Sequence, residues 1–430
     1  MAAVPWIDSV RGATDAAQSR ELCDAGIKLI CKANEGADLN VLLETMRDPS
    51  VVDDLATLVL RADRENKSDM VSEVTLLATL AYGAPRVCHI LESRGMVEIV
   101  SDRLSTFLQA QRDAQTAEAR VGHQKVFEVA LTLLGIISEV AQDQHNWDVI
   151  VRGALLDDDD DGTIGPEACF LLGNIARVSR SEALEDAVEP VVATLQNIEK
   201  AVRSRTALDA ECYAAWMAVR AVELMTHNDP NVALTFIRAD AQEVLARLAQ
   251  SDLRRDVYFV ASLGRAVQHL VVTSRKYNDA DLRRAMFETL HMHRDTANVY
   301  CVQGCLAALS VLASGPELTA AETRALLDAS KRHASDVCVT GLSLRALCRG
   351  LPSRREQDSA VAAFASDALE RYGAKSVAVA WYGLKLAKPE RARHFAEKLR
   401  GVHADALVER AIKEALGEWS VLDSLRAWFT

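Results

Sequence analysis

Residues 157 to 167, DDDDDGTIGPE, form the densest group of potential metal ligands in the chain. Calcium-binding helix–loop–helix motifs take oxygen ligands from alternating positions of a loop of about twelve residues and need a glycine at position six. With residue 157 at position one, carboxylates fall at positions three and five, and Gly162 falls at six. Position twelve requires a bidentate glutamate, but it is Ala168, and Glu167 lies one residue too early. The loop therefore lacks the residue that closes such a site.

The alternative is an acidic surface loop that leads into a helix. Pro166 suits the first turn of a helix, where its missing N–H costs nothing, and Glu167 complements the helix dipole. We therefore predict no metal site and no cofactor, and leave weak binding of a cation by crowded carboxylates as the alternative. The predicted acidic surface consists of Asp157, Asp158, Asp159, Asp160 and Asp161.

The other residues that could perform chemistry do not form a recognisable pattern. His291 and His293 are two residues apart, so on a helix they point away from each other. Cys301 and Cys305 are one helical turn apart, but no further ligand in the nearby sequence completes a zinc site. The chain has no phosphate-binding loop, nucleophile elbow, zinc-protease motif or dinucleotide-binding glycine run. The sequence predicts that the protein is not an enzyme.

Composition indicates the elements that must position these residues. The 430 residues include only 20 glycines and 9 prolines, while 49% are apolar. Folds rich in strands need many tight turns, and turns depend on glycine and proline. Alanine and leucine dominate instead, and both favour helix. We expect an all-α fold with a continuous apolar core.

Charge is distributed unevenly along the chain. Residues 1–200 hold 34 acidic and 18 basic side chains, a net charge of -16, whereas residues 201–430 hold 27 and 31, a net charge of +4. Binding to nucleic acid needs a basic surface that neutralises phosphates. The net charge of -12 therefore disfavours nucleic acid as the main partner.

Cysteine usage and hydropathy bear on the location of the protein. The nine cysteines include no CxxC pair, which indicates reduced, mostly buried thiols. The first residues lack the pattern of a signal peptide, and no run of about 18 apolar residues occurs. We expect a cytoplasmic location, with the nucleus as an alternative, and no membrane span.

Eight apolar heptapeptides recur along the chain at intervals of about 40 residues, the spacing typical of armadillo and HEAT repeats. They are TLLATLA (75–81), TLLGIIS (132–138), FLLGNIA (170–176), WMAVRAV (216–222), ASLGRAV (261–267), LAALSVL (306–312), GLSLRAL (341–347) and WYGLKLA (381–387). The helix–glycine–helix pattern around Gly95 resembles the first two helices of an armadillo repeat. Residues 70 to 400 thus resemble the armadillo/HEAT superfamily, which implies a right-handed α-solenoid of eight to nine repeats.

This resemblance suggests four segments. Residues 1–70 would form an N-terminal helical cap, and residues 71–200 armadillo-like repeats with a polar insert near 106–125 and the acidic loop 157–161. Residues 201–400 would form degenerate armadillo- or HEAT-like repeats, and residues 401–430 capping helices. Terminal caps are expected, because a stack of repeats otherwise ends on an apolar face.

In such solenoids the heptapeptide helices line a binding groove, and positions one and five of each heptapeptide share a face. Position five is basic in four of the eight heptapeptides, which predicts a basic stripe suited to an acidic partner. The alternative is that each cation pairs with a neighbouring helix. The predicted partner-binding residues are Phe170, Asn174, Trp216, Arg220, Arg265, Ser310, Arg345, Trp381 and Lys385.

Two family resemblances suggest what the groove binds. The order of repeats and the polar insert resemble the SmgGDS-type chaperones and dissociation stimulators of small GTPases, which implies a GTPase partner attracted by the acidic first half. Position five resembles the basic groove of β-catenin-like proteins, whereas import adaptors of the importin-α family place tryptophan and asparagine at these two positions. The sequence predicts a non-catalytic protein-binding scaffold, with an extended, acidic peptide as the alternative partner. It leaves the oligomeric state open.

Overall fold

The computed structural model describes residues 3–34, 39–65, 70–141, 145, 147–155, 162–179, 182–204, 209–227, 229–274, 279–313, 317–351 and 359–416. These segments contain helices and turns and no strand, which confirms the all-α prediction. None of their helices combines the length and the apolar character needed to cross a bilayer.

The first thirteen helices are α1 (Ala3–Gly12), α2 (Gln18–Asn34), α3 (Leu39–Met46), α4 (Pro49–Arg64), α5 (Val71–Ala81), α6 (Pro85–Ser93), α7 (Met96–Asp113), α8 (Ala117–Ser138), α9 (Trp147–Ala154), α10 (Pro166–Val178), α11 (Ala183–Asp186), α12 (Val188–Ser204) and α13 (Asp209–His227). The remaining helices are α14 (Pro230–Arg238), α15 (Ala241–Ala249), α16 (Val257–Ser274), α17 (Ala280–Met292), α18 (Val299–Leu312), α19 (Ala320–Arg332), α20 (Val337–Gly350), α21 (Ser359–Tyr372), α22 (Val377–Leu386), α23 (Pro389–Leu399) and α24 (Ala406–Leu416). A short 3-10 helix, Asp252–Arg255, precedes α16.

The chain divides into two compact units. Unit 1 comprises residues 1–198 and 213–239, and unit 2 comprises residues 199–212 and 240–430. In unit 1, α2 packs against α5, α5 against α8 and α8 against α10, so each long helix covers the next. Gly95, which precedes α7, has a φ of 77°, a conformation that glycine adopts without strain.

Unit 2 repeats a pair of helices. We name α16, α18, α20 and α22 the B helices, and α17, α19, α21 and α23 the A helices. Each B helix packs against the next one along the chain, and each A helix packs against the B helix that follows it, except α23, which packs against α22 and α24. This is a repeat-like architecture, in which neighbours bury the apolar face that one pair would expose.

Side-chain caps fix the period of this repeat. The residues that precede the four B helices are Asp256, Asn298, Asp336 and Ser376, at intervals of 42, 38 and 40 residues. Each side chain accepts a hydrogen bond from a backbone N–H of the first helical turn. Such caps satisfy N–H groups that have no partner within the helix.

The caps correct the register of one predicted repeat. The heptapeptides of α16, α20 and α22 begin five residues after the cap, but LAALSVL begins eight residues after Asn298. The equivalent start in α18 is Gln303, which places Ala307 rather than Ser310 at position five. The cause is the sequence of α18, which is apolar around most of its circumference and so gives no clear periodic signal.

Other predicted segments lie partly outside the described residues. The acidic loop 157–161 and residues 417–430 of the predicted C-terminal cap are not described. Within the rest of that cap, α24 packs against α22 and α23. The predicted polar insert near 106–125 coincides with the end of α7 and the beginning of α8, joined by the turn at residues 114–116.

Candidate binding face of the B helices

In unit 1, the asparagine of the predicted groove is held inside the protein. Asn174 in α10 is completely buried. Its Nδ2 atom donates to the carbonyl of Gly135 at 3.0 Å, and its Oδ1 atom accepts from Nη2 of Arg220 at 3.1 Å. The amide group is therefore used to join α8, α10 and α13, and no surface of it remains for a partner.

Arg220 in α13 is paired within the same unit. Its Nη2 atom lies 3.6 Å from the Oε1 atom of Glu139, and its guanidinium carbon lies 5.3 Å from the centre of the Phe170 ring. A guanidinium above an aromatic face is stabilised by the ring quadrupole. For Arg220 the alternative from the sequence, a cation paired with a neighbouring helix, is the arrangement observed.

Two of the predicted groove residues have no exposed side chain. Ser310 is completely buried, and its hydroxyl donates to the carbonyl of Ala307 at 2.7 Å. With Asn174, it is corrected from a partner-contacting residue to a core residue. Trp216 is half-buried, and its ring centre lies 6.3 Å from that of the exposed Tyr213.

We expect Asn174→Ala to lower the free energy of unfolding by about 1–3 kcal/mol, because it removes a buried amide that joins the Gly135 carbonyl to Arg220. The Gly135 carbonyl keeps only the hydrogen bond from the Ser138 hydroxyl. Urea unfolding followed by circular dichroism measures this change. Thr79→Ala, at a half-buried position of α5, is a control that removes a hydroxyl bonded only to its own helix. Unchanged stability of Asn174→Ala would contradict the structural role.

In unit 2, the B helices differ sharply in charge from the A helices. Each of the four A helices holds two acidic residues. The four B helices hold no aspartate or glutamate at all. In the whole chain, acidic residues outnumber basic ones by 61 to 49. The lysine and arginine residues of the B helices are Arg265, Arg345, Arg349 and Lys385.

The repeat places these cations on one face. Arg265, Arg345 and Lys385 each lie nine residues after the cap of their helix, and all three are half-buried. Arg349 lies one turn beyond Arg345, is exposed, and donates from Nη1 to the carbonyl of Ser310 at 3.3 Å. We name these four residues the basic face. The following helix, α24, carries both charge signs and is not part of it.

Arg345 is the most desolvated part of this face. Its Nε–H group is buried and has no hydrogen-bond acceptor among the described residues. Burial holds the pKa of Arg345 below its usual value. Tyr382 acts in the opposite direction, and repulsion from Arg349 lowers the pKa further. A buried donor without an acceptor is rare in folded proteins and calls for an explanation.

A second unsatisfied donor lies on the neighbouring helix. The Nε1–H group of Trp381 in α22 is also buried and without an acceptor in the described part of the chain. The Trp381 ring centre lies 4.6 Å from that of Tyr382, and burial raises the pKa of this tyrosine against the effect of Arg345 and Arg349. The Nζ atom of Lys385 lies 4.8 Å from the centre of the Trp381 ring. Two helices that pack against each other, α20 and α22, thus carry three cations and two aromatic rings.

Elsewhere in unit 2, the structure joins a cysteine pair to a histidine. A hydrogen bond from Cys305 and another with His293 hold the pKa of Cys301 at about 6, although burial acts in the opposite direction. Both thiols are completely buried. The spacing of these residues in the sequence does not predict that His293 lies beside Cys301. Even so, the described residues contain no group of three or more ligand side chains arranged to hold a metal ion.

Arg349 and Tyr382 are absent from the residues that the sequence singled out. Arg349 could have been found, since it lies one turn after Arg345 in a helix without acidic residues. Tyr382 gave no signal, because its position in the heptapeptide is buried in most of the other repeats.

Comparisons with known proteins bear on the fold. No family model matches the chain, and no curated protein matches it. A crystal structure of an engineered protein from the Northeast Structural Genomics Consortium is similar over 96% of this chain and 98% of that chain, with 16% sequence identity and a TM-score of 0.51. At this identity the similarity concerns the fold alone.

Proposed function

We propose that this chain is a non-catalytic scaffold or adaptor of the armadillo/HEAT-like solenoid type, whose basic face binds an extended, acidic segment of a partner protein. The observation that carries the proposal is the complete lack of acidic residues in the four B helices, against two in every A helix. A face that serves only for packing has no reason to exclude one sign of charge.

The repeat spacing suits an extended ligand. Successive B helices present the same position at regular intervals along the stack, and this position is a cation in α16, α20 and α22 and Ala307 in α18. A strand-like peptide lying across the stack can therefore meet three cations of this row. Half-buried cations attract carboxylates more strongly than fully solvated ones, since less water screens them. The negative net charge of the remaining protein would at the same time repel acidic molecules from other surfaces.

Unit 1 provides a contrast that supports this choice of face. There the corresponding arginine, Arg220, already has Glu139, Asn174 and Phe170 as partners. In unit 2, Arg345 makes no ion pair with any described residue. Arg345 therefore keeps donor capacity that the equivalent residue in unit 1, Arg220, has used internally.

The test is binding of a fluorescent peptide of alternating glutamate and leucine, measured by anisotropy. We expect the double variant Arg265→Glu/Lys385→Glu to weaken binding about tenfold or more, because each reversal replaces an attraction by a repulsion. Binding of the native protein should also weaken as salt is added.

A matched control is Lys398→Glu in the A helix α23. Its Nζ atom also lies over an aromatic ring, 5.7 Å from the centre of Phe395, so the same local contact is lost. We expect this variant to bind the peptide as the native protein does. Equal weakening by both changes would show only a general charge effect, and an unaffected double variant would refute the proposal.

Small-GTPase binding by an SmgGDS-type chaperone stays a prediction from the sequence. It depends on the order of the repeats and on the acidic residues 157–161, which lie outside the described part of the chain. The test of this prediction is the affinity for a GTPase that carries a polybasic tail. This affinity is compared between the native protein and a variant in which these five aspartates are changed to asparagine.

A further inference from the structure

At one place on the basic face two cations lie close together on the same helix, whereas α16 and α22 carry one cation each. Arg345 and Arg349 lie one turn apart on α20, and both lie near Tyr382 of α22. No acidic residue occurs in α18, α20 or α22, the B helices packed together here. Two like charges one turn apart destabilise a helix unless an anion lies between them.

This crowding suits an anion with more charge and more acceptors than a carboxylate. A phosphorylated side chain carries close to two negative charges at neutral pH and three strongly accepting oxygens. A carboxylate offers one charge and two oxygens. The guanidinium groups of two arginines match the geometry of a phosphate, because each can donate two parallel hydrogen bonds.

The unsatisfied donors give independent support. Nε of Arg345 and Nε1 of Trp381 are both buried and without an acceptor among the described residues. They lie on α20 and α22, which pack against each other, and the Trp381 ring centre lies 4.6 Å from that of Tyr382. An oxyanion reaches these two donors only when the side chains that cover them shift, and it then accepts from N–H groups that have no existing acceptor to lose.

We propose that Arg345, Arg349 and Trp381 form a subsite for a phosphorylated serine or threonine of the bound acidic segment. This inference rests on the proposed function, since it names the residue that the basic face selects within the segment. The two arginines neutralise the phosphate, the indole N–H donates to one of its oxygens, and Lys385 over the Trp381 ring adds positive charge. Binding of the partner would then depend on a kinase.

The experiment compares three fluorescent peptides that differ at one central position of the glutamate–leucine sequence: serine, glutamate or phosphoserine. We expect the phosphoserine peptide to bind about tenfold more tightly than the glutamate peptide, and the serine peptide to bind most weakly. Inorganic phosphate should compete with the phosphoserine peptide more than with the glutamate peptide.

Conservative variants separate charge from geometry. Arg345→Lys keeps the charge but loses the paired donors, and Trp381→Phe keeps an aromatic ring but loses the indole N–H. We expect each to reduce the preference for phosphoserine over glutamate to about threefold or less, whatever its effect on the affinity for the glutamate peptide itself. Arg371→Lys in the A helix α21, where Arg371 pairs with Asp367, is the matched control and should leave the preference unchanged.

Each outcome decides a different point. If phosphoserine and glutamate peptides bind equally, and both lose affinity in Arg265→Glu/Lys385→Glu, the phosphate subsite is wrong and the acidic-peptide function stands. If no peptide binds the natively folded protein, the proposed function fails and this inference fails with it. A phosphoserine preference that survives Arg345→Lys and Trp381→Phe would place the subsite elsewhere. Circular dichroism of each variant confirms that it is folded.

Discussion

Replacing Gly264 by alanine is expected to destabilise the protein by about 3 kcal/mol, an unusually large effect for one methyl group. Gly264 in α16 faces Gly304 in α18, and a Cβ atom added to Gly264 would overlap the carbonyl group of Gly304. A Cβ atom on Gly304 would likewise lie 2.7 Å from Cα of Ala261. These obstacles are backbone atoms, so the two helices would have to move apart and lose their packing. Urea unfolding measures the loss.

The same substitution at Gly122 is the matched control. Gly122 lies inside α8, is exposed, and has no atom within 4 Å of the added Cβ position. Alanine favours helix over glycine by about 1 kcal/mol, so Gly122→Ala should stabilise the protein by up to that amount. Opposite signs for the two variants confirm the close approach of α16 and α18. A Gly264→Ala protein as stable as the native one would show that the helices can separate without cost.

The second large effect concerns a buried ion pair between two A helices. Arg283 in α17 is only 5% exposed, and it donates from Nε and Nη2 to the two carboxylate oxygens of Glu322 in α19 at 3.1 and 2.8 Å. We expect Glu322→Gln to lower the free energy of unfolding by about 3 kcal/mol, because it removes the charge of the carboxylate that pairs with this buried guanidinium. Glutamine can still accept from the N-cap residue Thr319, so the capping of α19 is largely retained.

Two further variants test this explanation. Adding Arg283→Met to Glu322→Gln removes the buried positive charge and should restore most of the stability. Glu288→Gln breaks the pair with Arg254, in which the glutamate is 55% exposed, and should cost less than 1 kcal/mol. Similar losses in Glu288→Gln and Glu322→Gln would mean that burial does not control the strength of these pairs.

The pair also contributes to the pH dependence of stability. Burial alone would raise the pKa of Glu322, but hydrogen bonds from Thr319 and Arg283 outweigh it and hold the pKa below its ordinary value of 4.5. A carboxylate with a lowered pKa stabilises the fold above its unfolded pKa, and this stability is lost as the pH falls through the folded pKa. The acid loss of stability should therefore be smaller in Glu322→Gln than in the native protein.

These stability effects matter for the proposed function. The basic face exists only while the B helices stay in register, since its cations lie on different helices. The contact of α16 with α18 stabilises this register among the B helices. The ion pair between α17 and α19 stabilises it among the A helices. A variant that loses peptide binding is informative only if its stability is unchanged, so urea unfolding of each binding variant belongs beside its binding measurement.

Local properties of the sequence are enough to predict the all-α class and the spacing of about 40 residues between most repeats. Scarce glycine and proline, abundant apolar residues and heptapeptides about 40 residues apart are local properties, and they predict helices in a repeated arrangement without knowledge of the contacts between them. The register of α18 was missed, because a helix that is apolar on nearly all sides has no periodic pattern to align. Its start is visible only through the Asn298 cap.

Whether each cation pairs with another side chain, by contrast, depends on contacts between segments that are distant in the chain. Arg220 and Arg345 occupy equivalent positions in their heptapeptides and are indistinguishable in sequence. Glu139 and Asn174, which are 81 and 46 residues away in the chain, pair with Arg220, whereas the B helices on either side of Arg345, α18 and α22, have no acidic residue. Pairing depends on which side chains distant segments bring within about 4 Å, and spacing along one helix does not contain that information.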